Sequence, residues 1–325
     1  MGRLVWLGRR LVHGLGLMLA VLVLNFVLVR LAPGDPAVVI AGEMGGASAQ
    51  VMDQIRAQYG LDRSLPEQLL RYLAQVLRGD LGYSFYFNRP VAGLVFERMG
   101  ATALLVLAAI GAALVLGTWL GIVAARRPRG VAAQVVAIFS VAGFAAPVFW
   151  TGMMFLLAFA SYWPIFPVSG MEDVGRPRQG LGRLADVGHH LVLPAATLAM
   201  IYMAQYSRQA RAGMIAALGA DYIRTARAKG LGEGRVVYRH ALANALIPVI
   251  TIAGLQFGQV LAGAVLVETV YSWPGLGRLA YESILRRDSP TLLGILLGSA
   301  VMVIVANLAT DAAYRLADPR MRGGA

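Results

Sequence analysis

Long apolar stretches alternate with short polar clusters along this chain, and the stretches are the right length to cross a bilayer. Leu11–Val29 is apolar apart from His13 and Asn25, close to what roughly 30 Å of hydrocarbon requires. Ala101–Ala125 is uncharged. Ala132–Trp163 follows and is long enough to tilt, and Pro147 inside it should kink the helix by removing a backbone donor, a feature that serves packing more often than gating. Leu191–Tyr206 is a marginal span, Ala245–Val267 a fifth and Thr291–Ala309 a sixth. The pattern predicts an all-α membrane protein with six transmembrane helices. Gly117-x3-Gly121, Gly254-x3-Gly258 and Gly294-x3-Gly298 put small residues on single helix faces, which suits a compact bundle.

The polar clusters orient the spans. Arg3, Arg9 and Arg10 precede the first, Arg126-Arg127-Pro128-Arg129 follows the second, and Arg208, Arg211, Arg224, Arg227, Lys229, Arg235 and Arg239 face only Asp221 and Glu233 after the fourth. Basic clusters of this kind mark the cytoplasmic side. Asp311, Arg315, Asp318, Arg320 and Arg322 close the chain inside, so both termini are expected in the cytoplasm. Residues 31–99, 164–190 and 271–290 are then outside, with Tyr271 and Trp273 suited to the interface. The apolar run through Val29, with no small-residue cleavage site, reads as a retained span. Within 31–99, Asp53–Tyr59 and Pro66–Leu77 have helical spacing. That segment either covers a transport path, meets a soluble partner or is a packed ornament.

Composition narrows the function. Hydrophobic residues make up 58% of the chain and charged ones 14%, with a mean hydropathy of +0.64, so a soluble domain is excluded. The net charge of +12 would suggest nucleic acid in a soluble protein; here it reports topology, with anionic lipid headgroups as the natural counter-charge and no nucleic acid implied. There are no cysteines, and the adjacent His189-His190 has no carboxylate cluster to complete a metal site. The only lysine, Lys229, precedes Gly230 and is no part of a phosphate-binding loop. Neither Gly-x-Ser-x-Gly nor His-Glu-x-x-His occurs, which argues against an intramembrane hydrolase. The spans carry amides such as Asn25, Gln205, Gln256, Gln259 and Asn307 but essentially no mid-span charge, and Glu268 and Asp311 lie near span ends. An ion-coupled carrier normally needs a buried ionisable group. A polar, passive path driven by an external motor fits better, with those five amides as candidate path residues.

The stretch Asp221-Tyr222-Ile223-Arg224-Thr225-Ala226-Arg227-Ala228-Lys229-Gly230-Leu231 is too charged for lipid yet lies between apolar runs. Asp221 can cap a short helix there, and Gly230 can end it in the left-handed region. Topology alone needs the arginines but not the small residues, so Ala226, Ala228 and Gly230 are expected to let a partner approach the backbone. Arg224-Thr-Ala-Arg-Ala-Lys-Gly230 resembles the Glu-Ala-Ala-x3-Gly loop of permease subunits of bacterial ATP-binding-cassette importers, in the form typical of the dipeptide, oligopeptide and nickel branch. Arg224 stands where the general loop has Glu, and Ile247-Pro248 comes later than in the general pattern; both suit that branch. The resemblance runs from Leu31-Ala-Pro-Gly-Asp-Pro36 to Asp318-Pro-Arg-Met-Arg322.

The resemblance implies a type I importer permease fold (MetI-like). Residues 1–99 would hold the first span and an outer segment, 100–316 a five-span core with a coupling loop at 208–244, and 317–325 a cytoplasmic tail. It further implies a permease subunit, not an enzyme, that forms half of a translocation path for di- or oligopeptides in the bacterial inner membrane. The expected partners are a second homologous permease, two cytoplasmic ATPase subunits that bind the ATP and magnesium, and a periplasmic or lipid-anchored binding protein. The loop Asp221–Leu231 would dock on an ATPase, with Ala226 and Gly230 at the contact and Arg224, Arg227 and Lys229 at its rim. Selectivity in that family rests mostly with the binding protein, so nickel, glutathione or another small solute remains open beside peptides.

Overall fold

The computed structural model describes residues 2–31, 52–53, 62–84 and 86–317. Most of Asp53–Tyr59, of the 31–36 motif and the whole of 318–325 lie outside them. Contacts divide the chain into two units: residues 1–100 with 279–304, and residues 101–278 with 305–325.

In the first unit, α1 (Gly2–Leu31) is followed by α2 (Leu65–Leu77), which realises the helical spacing of the outer segment, and by a minimal hairpin of β1 (Tyr83–Ser84) and β2 (Arg89–Pro90). Phe26 of α1 meets Tyr72 of α2 with ring centroids 6.2 Å apart. Helix α11 (Ser289–Ala317) begins at Asp288, which is fully buried. One carboxylate oxygen of Asp288 accepts the Thr291 amide at 3.2 Å, and the other accepts the hydroxyls of Thr291 and Ser84 at 2.6 and 2.5 Å. This cap ties α11 to the hairpin. Gly294 and Gly298 lie directly against Val91 and Val95 of α3 (Val91–Arg126); a Cβ on either would sit 2.4 or 2.7 Å from a valine methyl.

The second unit is built on α6 (Leu181–Leu218), against which α4 (Val131–Ala145), α5 (Val148–Leu156), α8 (Leu242–Leu255) and α9 (Phe257–Val270) all pack. At 1.5 Å per residue α6 is about 57 Å long, well beyond a span. The expected span at Leu191–Tyr206 is only its middle; the rest carries Arg208 and Arg211 past the apolar zone. Gly117 and Gly121 bring α3 onto α6, where a Cβ at Gly121 would be 2.6 Å from both the Ser207 carbonyl and Ala210 Cβ. Pro147 does more than kink its span: α4 stops at Ala145, Ala146 is extended at φ −77° and ψ 132°, and α5 leaves at 106° to α4. The ring of a proline forbids the helical region to the residue before it, which fixes the break there. A π-helical turn, Leu157–Tyr162, ends α5.

Helices α9 and α10 (Leu276–Arg286) meet at Glu268, which is fully buried. Its carboxylate accepts the Thr102 hydroxyl at 2.7 Å and the Gly277 and Arg278 amides at 2.6 and 3.1 Å. Trp273, also fully buried, donates its indole N–H to the Ala101 carbonyl at 2.9 Å. Among the described residues three helices are long and apolar enough to cross a membrane, four if α4 and α5 count as one broken span; Val12–Leu28 and Phe257–Val270 are shorter apolar helices.

The close approach of α3 to α6 makes a direct prediction. Gly121→Leu should destabilise the purified protein by about 1–3 kcal/mol through overpacking. Gly111→Ala on the same helix, where nothing lies within 4 Å, should be neutral or stabilising by up to about 1 kcal/mol. Thermal unfolding in detergent measures both, and equal effects would refute the α3–α6 contact.

Candidate functional site: the basic loop and the buried amides

The loop after α6 folds as α7 (Asp221–Ala228), a single turn at Glu233–Arg235, a π-helical turn at Val236–Ala241 and then α8. Asp221 is not the cap. Ala220 occupies that position in extended conformation with no side-chain bond, and Asp221 is the first helical residue, where its charge complements the helix dipole. The end of α7 has the expected form: Gly230 adopts φ +75°, its amide donates to Arg227 O at 2.9 Å, and the Leu231 amide donates to Ala226 O at 3.3 Å. This paired bonding is a Schellman motif, and Leu231 completes it by packing on the apolar cluster beneath.

An eight-residue helix is too short to hold in water by itself. Ile223 and Ala226 fix α7 in place by entering a core formed with Ile122 and Ala125 of α3, Met214 and Ala217 of α6, and Val236, Val237, Ala241 and Ala245. Ala226 therefore does not face outward: it is 7% exposed, and its small size serves this internal packing. Gly230 meets a backbone requirement in the same way. The outward face consists of Asp221, Tyr222, Arg224, Thr225, Arg227, Ala228, Lys229 and Gly230. Sequence reading missed Ile223 and Tyr222. The i, i+3 spacing of Ile223 and Ala226 was the available signal for the first; Tyr222, whose hydroxyl accepts the Asn244 side-chain N–H at 2.9 Å, had none.

Arg227 makes two hydrogen bonds to Glu233, at 2.6 and 3.2 Å, which brace the end of α7 against the next turn. Chiefly through these bonds, the Arg227 guanidinium holds Glu233 below the usual carboxylate range. Arg224 reaches Asp221 at 3.4 Å. Both pairs are exposed and contribute orientation more than stability. Arg211 donates to the Pro128 carbonyl at 3.1 Å, joining the Arg126–Arg129 loop to α6. The basic residues on the 126–129 loop and at the end of α6 thus gather at one end of the second unit.

The five amides part company. Asn25 is buried in the first unit and donates to Leu293 O at 3.4 Å. Gln205 of α6 and Gln256, the single residue between α8 and α9, are brought together, with the Gln256 amide donating to the Gln205 carbonyl oxygen. Gln259 and Asn307 are exposed. A cavity of about 540 Å³ lies elsewhere in the second unit, lined by apolar residues that include Leu116, Phe139, Phe155, Met200 and Met203; none of the five amides borders it. The histidine pair is engaged separately. The His189 ring is 2.8 Å from Ile165 O, in the loop before α6, and the His190 ring is 2.9 Å from Asp186 O within α6 itself.

Residues 117–323 match the family described as binding-protein-dependent transport system inner membrane component, and residues 3–106 match the N-terminal family of such membrane components. The chain is 38% identical to the dipeptide transport system permease protein of Escherichia coli K12, covering 94% of each. It is 36% identical to the oligopeptide transport system permease protein of Bacillus subtilis 168, covering 96% of this chain and 98% of that one. A chain of the MetNI methionine ABC transporter superposes with a TM-score of 0.54 over 69% of this chain and 96% of its own, at 14% identity, and shares the fold.

If Ile223 and Ala226 seat α7, Ala226→Trp should unseat it, since the added ring has no room. Limited trypsin digestion in detergent should then cut faster at Arg224, Arg227 and Lys229. Ala228→Trp, on the exposed face, should leave the cleavage rate near that of the unmodified chain. Equal digestion of the two variants would show that α7 is not held by its inner face.

Proposed function

The chain belongs to the binding-protein-dependent transport system inner membrane component family, and from that premise we propose that it forms half of a translocation path for di- and oligopeptides in the bacterial inner membrane. As such a component it is a permease and not an enzyme, its ATPase being a separate subunit. The names of its relatives favour peptides over nickel: they include a dipeptide permease, an oligopeptide permease and, in Pseudomonas aeruginosa, a di/tripeptide permease. The absence of mid-span charge argues against an ion-coupled carrier.

The observation that carries the mechanism is α7: a short basic helix whose inner face is fixed in a core shared with α3, α6 and α8. Such a helix, docked on a cytoplasmic ATPase, passes any displacement to three transmembrane elements at once. The docking surface is the exposed face, Tyr222, Arg224, Thr225, Ala228 and Lys229, with Arg227 braced by Glu233 at its edge. We assign the chain six spans with both termini and the 208–244 loop in the cytoplasm. A first span and outer segment (1–99) precede a five-span core (100–316) and a short tail. The working assembly contains a second homologous permease, two ATPase subunits that bind ATP and magnesium, and a periplasmic or lipid-anchored binding protein.

Topology is testable by single cysteines in this cysteine-free chain. Positions 127 and 229 should react with an impermeant thiol reagent only from the cytoplasmic side, and position 174 only from outside; labelling of position 229 from outside would overturn the assignment. Docking is tested by Ala228→Trp, which alters the exposed face without entering the core. It should abolish copurification of the ATPase or reduce peptide uptake at least about tenfold, whereas Arg227→Ala should weaken either only severalfold, since rim charges mainly steer association. Full uptake with Ala228→Trp would show that α7 is a topology signal alone.

A further inference from the structure

Resting on the peptide-import reading, we propose that Gln205 and Gln256 form a station that hydrogen-bonds one peptide unit of the substrate during passage. Of the amides in the apolar stretches, these two alone are joined among the described residues, and Gln256 sits where the helix is interrupted between α8 and α9. Two amides that share one hydrogen bond leave a carbonyl on the donor and an N–H on the acceptor. That remainder is the same whichever of the two donates. Here the Gln256 carbonyl oxygen is left without a partner, on a side chain only 4% exposed. A buried carbonyl left unpaired costs free energy, and a substrate group that reaches it recovers that cost.

The remainder of the pair has the chemistry of a peptide unit's complement. A peptide offers one N–H and one C=O; the Gln256 carbonyl accepts the first, and the Gln205 amide donates to the second. Separation of α6 from the α8–α9 turn exchanges the Gln–Gln bond for two bonds to substrate, and closure restores the Gln–Gln bond and releases the peptide. Such an exchange leaves each side chain with at least one hydrogen bond in either state, pairs the Gln256 carbonyl only in the substrate-bound one, and needs no ionisable residue. It also excludes a nickel ion as the preferred ligand, because two neutral amides lack the imidazole or carboxylate donors such a metal favours.

The test uses the complete importer in liposomes, with its binding protein saturated so that this partner's own selectivity does not enter the maximal rate. A dipeptide is compared with its depsipeptide analogue, in which an ester oxygen replaces the peptide N–H. The unmodified importer should move the dipeptide about fivefold faster or more, the effect of one hydrogen bond. The double variant Gln205→Met with Gln256→Met keeps the volume and removes both amides. It should lose at least about fivefold of dipeptide uptake, and the two substrates should converge, while the ATPase still copurifies. A double variant that keeps both rate and discrimination would show that the pair is only an internal latch. Equal maximal rates for the two substrates in the unmodified importer would overturn the station without any variant. Import of neither substrate would overturn the peptide reading itself, and the station with it.

Discussion

One end of the second unit hangs on one buried carboxylate. Removing Glu268 from water is expensive, and the structure meets the cost with hydrogen bonds: the Thr102 hydroxyl from α3 and the Gly277 and Arg278 amides at the start of α10. The arrangement demands glycine nearby, since a Cβ at Gly275 would lie 2.2 Å from a Glu268 oxygen and one at Gly277 would lie 2.5 Å from the Val265 backbone. The Glu-Thr-Val-Tyr-Ser-Trp-Pro-Gly-Leu-Gly stretch is therefore a single device. Its acid supplies the acceptor oxygens, its glycines admit the helix start, and Trp273 and Tyr271 seal it, Tyr271 bonding to Thr197 at 2.8 Å and donating to Gly152 O at 3.1 Å. Asp288 does the equivalent work in the first unit by capping α11. Both acids are used at helix N-termini, where dipole and unpaired amides favour them.

Hydropathy made the spans legible, and the structure departs from that reading where local chemistry outweighs the average. The fourth span was marginal because hydropathy falls on either side of it, yet backbone hydrogen bonding carries α6 on to Leu218. The uncharged run placed the second span at Ala101–Ala125, but α3 begins at Val91, and Glu97 and Arg98 are helical as well. Pro147 was visible, but the size of its effect was not: the same residue type makes a mild kink or, as here, a 106° break.

The basic loop shows a different limit. Its existence, its helical character and the left-handed glycine at its end all follow from residue type, because each is a local property. Which face points outward is not local. Ala226 is small, and small residues admit a close neighbour, but composition cannot say whether that neighbour is a partner or the chain's own core. Ile223 decides the matter: a helix this short must bury its large aliphatic residue to persist, and Ala226, three positions on, goes inward with it. The outward face is then what remains, and it is charged.

The same helices link the loop to the amide pair. The core under α7 includes Met214 and Ala217 of α6 and Ala245 of α8, while Gln205 lies farther along α6 and Gln256 at the far end of α8. From Ala217 to Gln205 is about 18 Å of continuous helix, and from Ala245 to Gln256 is about 16 Å. In the proposed docking, a displacement of α7 is carried toward both amides through helices that are anchored in the same cluster and end on opposite sides of one hydrogen bond. In the proposed assembly, an ATPase docked on α7 has a direct mechanical route to the amide pair, and the proposed exchange there needs no charged group.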